Sequence, residues 1–203
     1  MLEVFIKGLA AGLIIAAPVG PVGVLCVHRT LVHGRIHGLL SGLGAATADA
    51  AFGAVAAFGL TVVAMFLIEH NDWVRLGGGA LLLVLGAKTL LAPRPNPGDN
   101  DQPMSLGGDC LSTFVLTLTN PMTVLAFFGI FAALGISAGA SLTEASVLVL
   151  GVFLGSELWW VLLSTGVGVF RHAIESVYLR WIQLVSGSLL LGFGIGVLLS
   201  LVA

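Results

Sequence analysis

Six apolar stretches, separated by short polar segments, follow one another along the 203 residues of the chain. They cover residues 4–27, 38–68, 74–91, 111–134, 143–170 and 178–202. Each is long enough to supply the ~20 apolar residues with which a helix crosses the hydrocarbon core of a bilayer. The pattern therefore predicts an all-α integral membrane protein with six transmembrane helices.

The first stretch and the longest polar segment decide how the chain is divided. The first stretch lacks a cationic leader, because Glu3 and Lys7 cancel, and it exceeds the apolar core of a signal peptide, so we expect it to be a retained span. Residues 92–109 contain four prolines and three aspartates, which neither pack a core nor enter lipid. We predict one three-helix unit over residues 1–91, a cytoplasmic linker over 92–109 and a second three-helix unit over 110–203.

Composition and charge agree with a membrane protein and indicate its orientation. Only 9% of the residues are charged, compared with roughly 25% in soluble domains, and the net charge of -2 gives no sign of a nucleic-acid partner. Lys7 and Arg75 fall on one side of the predicted spans, and six cations fall on the other: Arg29, Arg35, Lys88, Arg94, Arg171 and Arg180. Because cations are retained on the cytoplasmic side, both termini are predicted to lie outside the cytoplasm. The His-rich turn at residues 28–38 is then interpreted as a basic cytosolic loop at anionic headgroups.

An internal repeat relates the two predicted units. Residues 79–86, GALLLVLG, align with residues 187–194, GSLLLGFG, at an offset of 108, and the same offset places Asp49 on Glu157. Three spans per unit is an odd number, so the second unit must enter the membrane inverted relative to the first. The repeat therefore predicts two inverted-topology three-helix repeats, the architecture of many secondary transporters.

Prolines within the predicted membrane region lie only in the first span of each unit. Pro18 and Pro21 lie in the first span, and an offset of 100 places Pro21 on Pro121 in the fourth. Proline removes a helical hydrogen bond, so both helices are predicted to be broken, with Gly20 and Asn120 as N-caps of the resumed helices. Broken backbone is tolerated in a membrane only where protein or water covers it, and free helix-start amides attract anions such as a carboxylate. We therefore expect both breaks to face one central cavity.

Asp49 and Glu157 are the only ionisable residues predicted to lie near mid-membrane. A carboxylate at this depth usually serves a proton relay, a cation site or a polar partner within the protein. We expect both acids to line the transport path and at least one to exchange its proton for a cationic group of the substrate. Trp160, three residues after Glu157, either forms a cavity wall on which a cation could stack or fills space between helices.

The order and spacing of several segments resemble the LysE/RhtB family of amino-acid exporters over the whole chain. The segments are PVGPVG (18–23), RTLVHGRIHGLLSGLGAATAD (29–49), LGGGALLLVLGAKTL (76–90), LTNPMTVLAFFGIFA (118–132) and GVFLGSELWWVLLS (151–164). The resemblance implies a bacterial inner-membrane protein with no enzyme activity and no cofactor that expels small metabolites, commonly amino acids, using protons. By position it carries the family's functional motifs onto Pro18, Gly20, Pro21, Asp49, Asn120 and Pro121, although Pro-Val-Gly-Pro stands here where some relatives have a contiguous Pro-Gly-Pro.

Two other functions remain open at this point. Paired carboxylates could ligate a hard divalent or other inorganic cation, although the predicted spans offer no further deep acid or histidine, so no metal site is predicted. A transmembrane redox carrier would need reactive cysteines in spans one and four, but Cys26 and Cys110 are not equivalent in the repeat. Glycine pairs four residues apart, such as Gly8 with Gly12, could serve contacts within one chain or in a homo-oligomer.

Overall fold

The computed structural model describes residues 1–18, 20–58, 70–91, 105–120, 123, 126–127, 141–170 and 176–201, without the side chains of residues 71, 74, 170 and 176–179. Within these ranges the chain forms seven helices and the protein is all-α. They are α1 (Leu2–Ala16), α2 (Pro21–Val32), α3 (Arg35–Ala57), α4 (Asn71–Leu91), α5 (Leu106–Leu118), α6 (Leu142–Phe170) and α7 (Ser176–Leu199).

Length and hydropathy identify the chain as a multi-pass membrane protein. Three segments of the described helices are long and apolar enough to cross a bilayer, namely Arg35–Ala57, Leu142–Val169 and Arg180–Leu199. The pair formed by α1 and α2 meets the same test when it is taken as one broken span. The helical membrane fold is thus confirmed, whereas the arrangement of six spans as an inverted repeat stays a prediction.

The predicted break in the first span is present. The axes of α1 and α2 differ by 78°. Gly20 is the N-cap of α2 in an extended conformation, with φ -124° and ψ -168°, and Pro21 is its first residue. Proline suits this position because a backbone N–H in the first turn would have no acceptor within the helix, so its loss costs no hydrogen bond.

The fourth span begins earlier than the sequence indicated. Helix α5 starts at Leu106, inside the segment predicted as linker, because Ser105 caps it by accepting a hydrogen bond from the Gly108 amide at 3.1 Å. The helix ends at Leu118, two residues before Asn120. Pro121, predicted to open the next helical segment, lies outside the described residues.

Glycines bring α1 and α6 into close contact. Gly8 and Gly12 of α1 face the α6 backbone, and a Cβ at Gly12 would meet the Val152 carbonyl oxygen and the Ser156 amide. Gly155 is equally close to the α1 backbone at Leu9. These glycine pairs therefore serve contacts within one chain, as small residues do between membrane helices.

The interpretation of residues 28–38 as a loop is wrong. Helix α2 continues to Val32 and α3 begins at Arg35, so only two residues connect them. Gly34 makes this tight turn possible with a φ of 110°, which side-chain-bearing residues rarely adopt. His28 and His37 are buried, and Arg29 is only 4% exposed, so these side chains pack inside the protein.

Candidate functional site

A cavity of about 340 Å³ lies at the break between α1 and α2. Its wall is formed by Ile15, Ala16, Pro18, Gly20, Pro21, Val22, Gly23, Ala45, Asp49, Thr117, Asn120, Thr123, Ala126, Trp160 and Phe193. The structure thus brings together six of the eight residues that the sequence singled out: Pro18, Gly20, Pro21, Asp49, Asn120 and Trp160. They come from α2, α3, α6 and the segments beside them, so the cavity is assembled from parts distant in the sequence.

Asp49 is the acidic group of the cavity wall, and its side chain is held by a neighbouring helix. The residue is 2% exposed, and its Oδ2 accepts a hydrogen bond from the Ser156 hydroxyl at 2.7 Å. The Trp160 indole Nε1 donates to the same hydroxyl oxygen at 3.1 Å. Ser156 therefore fixes both the carboxylate and the indole, a role that the sequence did not reveal because the bond joins two different spans.

The start of α2 lies at the cavity. The first amides of a helix have no partner within it, and Gly20 supplies no side-chain hydrogen bond as a cap. Val22 and Gly23 in this first turn form part of the wall. Because a helix start carries partial positive charge, this part of the cavity favours an anionic group.

The end of α5 gives the opposite polarity. Thr117 in the last turn of α5 and Asn120 just beyond it both line the cavity. The Thr117 carbonyl accepts the Asn120 amide at 3.2 Å, and the last carbonyls of a helix carry partial negative charge. Together with Asp49, this part of the wall favours a cationic group.

Glu157 does not belong to the cavity wall in this structure. It follows Ser156 on α6 and is half-buried, and its Oε2 is buried without a hydrogen-bond partner among the described residues. The structure therefore places Asp49 with Trp160 rather than with Glu157. A direct part for Glu157 in the transport path stays a prediction.

A second polar cluster, formed by Arg29, His37 and Asp109, joins α2, α3 and α5. The Asp109 side chain is almost fully buried, and its Oδ1 lies 3.1 Å from Arg29 Nε while its Oδ2 is hydrogen-bonded to His37 Nδ1. The Arg29 guanidinium also donates to the hydroxyls of Ser41 and Ser112, each at 2.8 Å. Arg29 and Asp109 are therefore charged residues buried within the protein, which the sequence did not indicate.

The described residues show neither a metal-ligand cluster nor a cysteine in the cavity wall. No group of three His, Cys, Asp or Glu side chains in these ranges could hold a metal ion. Cys26 is buried in the core, and its thiol donates to the Gly38 carbonyl at 3.3 Å. Neither cysteine is part of the cavity wall.

The sequence of the chain matches the family model described as "LysE type translocator" over residues 13–201. The chain belongs to this family. It is therefore a membrane transport protein and not an enzyme, and the resemblance noted in the sequence is confirmed.

Two relatives illustrate the similarity. The chain is 26% identical over 200 residues, 95% of this chain and 94% of the relative, to the protein named "Putative amino acid efflux protein YcgF" of Bacillus subtilis (strain 168). It is 30% identical over 141 residues, 68% of this chain and 63% of the relative, to the protein named "Uncharacterized membrane protein YahN" of Escherichia coli (strain K12). No solved structure matches the chain.

Proposed function

We propose that this LysE-type translocator exports amino acids or closely related small metabolites across a bacterial inner membrane, in exchange for protons. The observation that carries the proposal is the buried Asp49 carboxylate in the wall of a cavity that also contains a helix start. Carboxylate and helix-start amides complement the two charges of an amino-acid zwitterion. The name of the Bacillus subtilis relative, which specifies amino-acid efflux, supports the same substrate class.

The two ends of the zwitterion have different partners in the wall. The ammonium group is expected at Asp49 and the end of α5, where the charge is negative. The carboxylate is expected at the start of α2, where the amides of Val22 and Gly23 lie beyond Pro21. This assignment follows the use of half-helix ends in other transporters with broken spans.

Charge also restricts the side chain of the substrate. Asp49 is the single acid in the described wall, which contains no Lys, Arg or His. Residues 121–140 carry no charge in the sequence. A second charge on the substrate would therefore be desolvated without a partner, so the site favours amino acids with uncharged side chains.

Contacts between α4 and α7 support two inverted repeats. A Cβ on Gly79 would lie 3.4 Å from the Gly194 carbonyl oxygen, and one on Gly86 would lie 3.0 Å from that of Gly187. In the repeat, Gly79 corresponds to Gly187 and Gly86 corresponds to Gly194. Gly79 therefore contacts the equivalent of Gly86, and Gly86 contacts the equivalent of Gly79. A two-fold axis between the units requires this reciprocal, antiparallel contact.

Energy for uphill export is proposed to come from the proton gradient. The sequence contains no GxxxxGK[ST] loop for nucleotide binding. An ionised carboxylate in the cavity can bind the ammonium group of the substrate, whereas a protonated carboxylate cannot. Substrate release and proton entry are therefore coupled. Asp49 is proposed to perform this exchange, with Glu157 as its counterpart in the second repeat, and rocking of the two repeats would expose the site to each side in turn.

An efflux assay in cells that overproduce the protein tests this function against cation export. Cells are loaded with labelled leucine, threonine, lysine or glutamate, or with a divalent cation, and release is followed beside cells carrying an empty vector. We expect faster release of an amino acid with an uncharged side chain, and no change for the cation. Faster release of the divalent cation with unchanged amino-acid release would overturn the proposal.

A further inference from the structure

Thr117 carries an unsatisfied hydroxyl at the cavity wall. The residue lies in the last turn of α5, is 4% exposed and belongs to the lining of the cavity. Its Oγ1 is buried and has no hydrogen-bond partner among the described residues. A buried hydroxyl without a partner costs free energy, so such a group in a binding site calls for a ligand that satisfies it.

Other threonines in the helices show what Thr117 lacks. Thr30 donates to the Cys26 carbonyl at 2.8 Å, and Thr113, one turn before Thr117 on the same helix, donates to the Asp109 carbonyl at 2.6 Å. Each bonds the backbone four residues earlier, the usual solution for a helical threonine. Thr117 does not use this option, so its hydroxyl has no hydrogen-bond partner among the described residues.

Position decides which group of the substrate this hydroxyl contacts. Thr117 precedes the end of α5, where helix carbonyls carry partial negative charge, and it shares the cavity with Asp49. The start of α2 provides the positive end of the same cavity. We infer that Thr117 is a substrate-binding residue whose hydroxyl oxygen accepts a hydrogen bond from the substrate's ammonium group, an inference that rests on the proposed amino-acid export.

Two substitutions separate the hydroxyl from the shape of the side chain. Thr117→Val keeps the volume and removes the hydroxyl, whereas Thr117→Ser keeps the hydroxyl. The full-length protein is reconstituted in liposomes, and KM and kcat are measured for export of labelled leucine, or of whichever uncharged amino acid the cells release fastest. We expect Thr117→Val to raise KM roughly 10- to 100-fold, as for loss of a hydrogen bond to a charged group, and Thr117→Ser to remain near wild type.

Stability provides a second readout that a purely structural threonine would not give. Removing an unsatisfied buried hydroxyl should raise the Tm of the unliganded protein in Thr117→Val, although binding becomes weaker. Thr113→Val is the matched control, since its hydroxyl already bonds the Asp109 carbonyl. That variant should lower Tm and leave KM unchanged.

Substrate fragments identify the group that Thr117 contacts. Isoamylamine retains the ammonium group of leucine without its carboxylate, and 4-methylpentanoate retains the carboxylate without the ammonium group. Thr117→Val should weaken competition by isoamylamine and leave competition by 4-methylpentanoate unchanged; the reverse pattern would overturn the inference.

Failure of the inference can be distinguished from failure of the proposed function. An unchanged KM in Thr117→Val, or a lowered Tm, would overturn the role of Thr117 while wild-type export still stands. A wild-type protein that exports no amino acid would overturn the function itself and the inference with it.

Discussion

Replacing Arg29 with methionine should destabilise the protein strongly, because it leaves the Asp109 carboxylate without its main partner. Arg29 contributes an ion pair at 3.1 Å and donates to the Ser41 and Ser112 hydroxyls and the Asp109 carbonyl. Both charged side chains are almost completely buried, at 4% and 2% exposure. Breaking such a buried pair costs about 3–5 kcal/mol, since the remaining charge stays desolvated.

The double substitution Arg29→Met with Asp109→Leu should restore part of this loss. It removes both charges, and apolar replacement of a buried ion pair is often close to neutral. Arg75→Met serves as the surface control, because the hydrogen bond from Arg75 to the Ser200 carbonyl is exposed and its loss should cost at most about 1 kcal/mol.

Thermal unfolding of the purified protein in detergent measures these effects. At ~2–4 °C per kcal/mol for a chain of this size, Arg29→Met should lower Tm by roughly 6–20 °C. A thiol-reactive dye on the buried Cys26 reports unfolding when Cys110 is replaced with serine. An Arg29→Met protein as stable as Arg75→Met, or a double variant no more stable than Arg29→Met, would refute the reasoning.

Three further predictions address packing, the binding site and topology. Gly12→Val should prevent stable folding, because its side chain would collide with the α6 backbone, whereas Gly192→Val, at a position with open space, should be tolerated; yield and Tm after purification compare the two. Ser156→Ala should raise KM roughly 5- to 15-fold through the lost bond to Asp49, and Ser156→Thr should retain more activity, which export kinetics will show. A cysteine near residue 100 should react with an impermeant reagent only from the cytosolic side, and labelling of intact cells from outside would contradict the proposed orientation.

Local chemistry made the break in the first span predictable. Proline cannot continue a helix, and glycine before it can act as a cap, so Gly20 and Pro21 specify the start of α2 without help from other helices. Apolar length likewise specified the membrane helices. Asp49 lies within α3, in agreement with the second predicted span.

Tertiary contacts decided what the sequence left open. The bond from Ser156 to Asp49 joins positions 107 residues apart, and neither residue type indicates its partner. Asp109 looked like part of a polar linker because its neighbours are glycines and prolines, yet Ser105 starts a helix that buries it against Arg29. The hydroxyl of Thr117 was equally hidden, since a helical threonine normally bonds its own backbone.

Proton-driven export by carboxylate variants tests the central claim most directly. Asp49→Asn and Glu157→Gln are reconstituted separately, and export of an uncharged amino acid is measured with a pH gradient beside gradient-free exchange of the same substrate. The proposal requires Asp49→Asn to abolish export driven by the pH gradient while retaining a larger share of gradient-free exchange. The reason is that an amide can hydrogen-bond the substrate but cannot carry a proton. Full proton-driven export by both variants would show that the carboxylates are structural and would contradict proton antiport through this cavity.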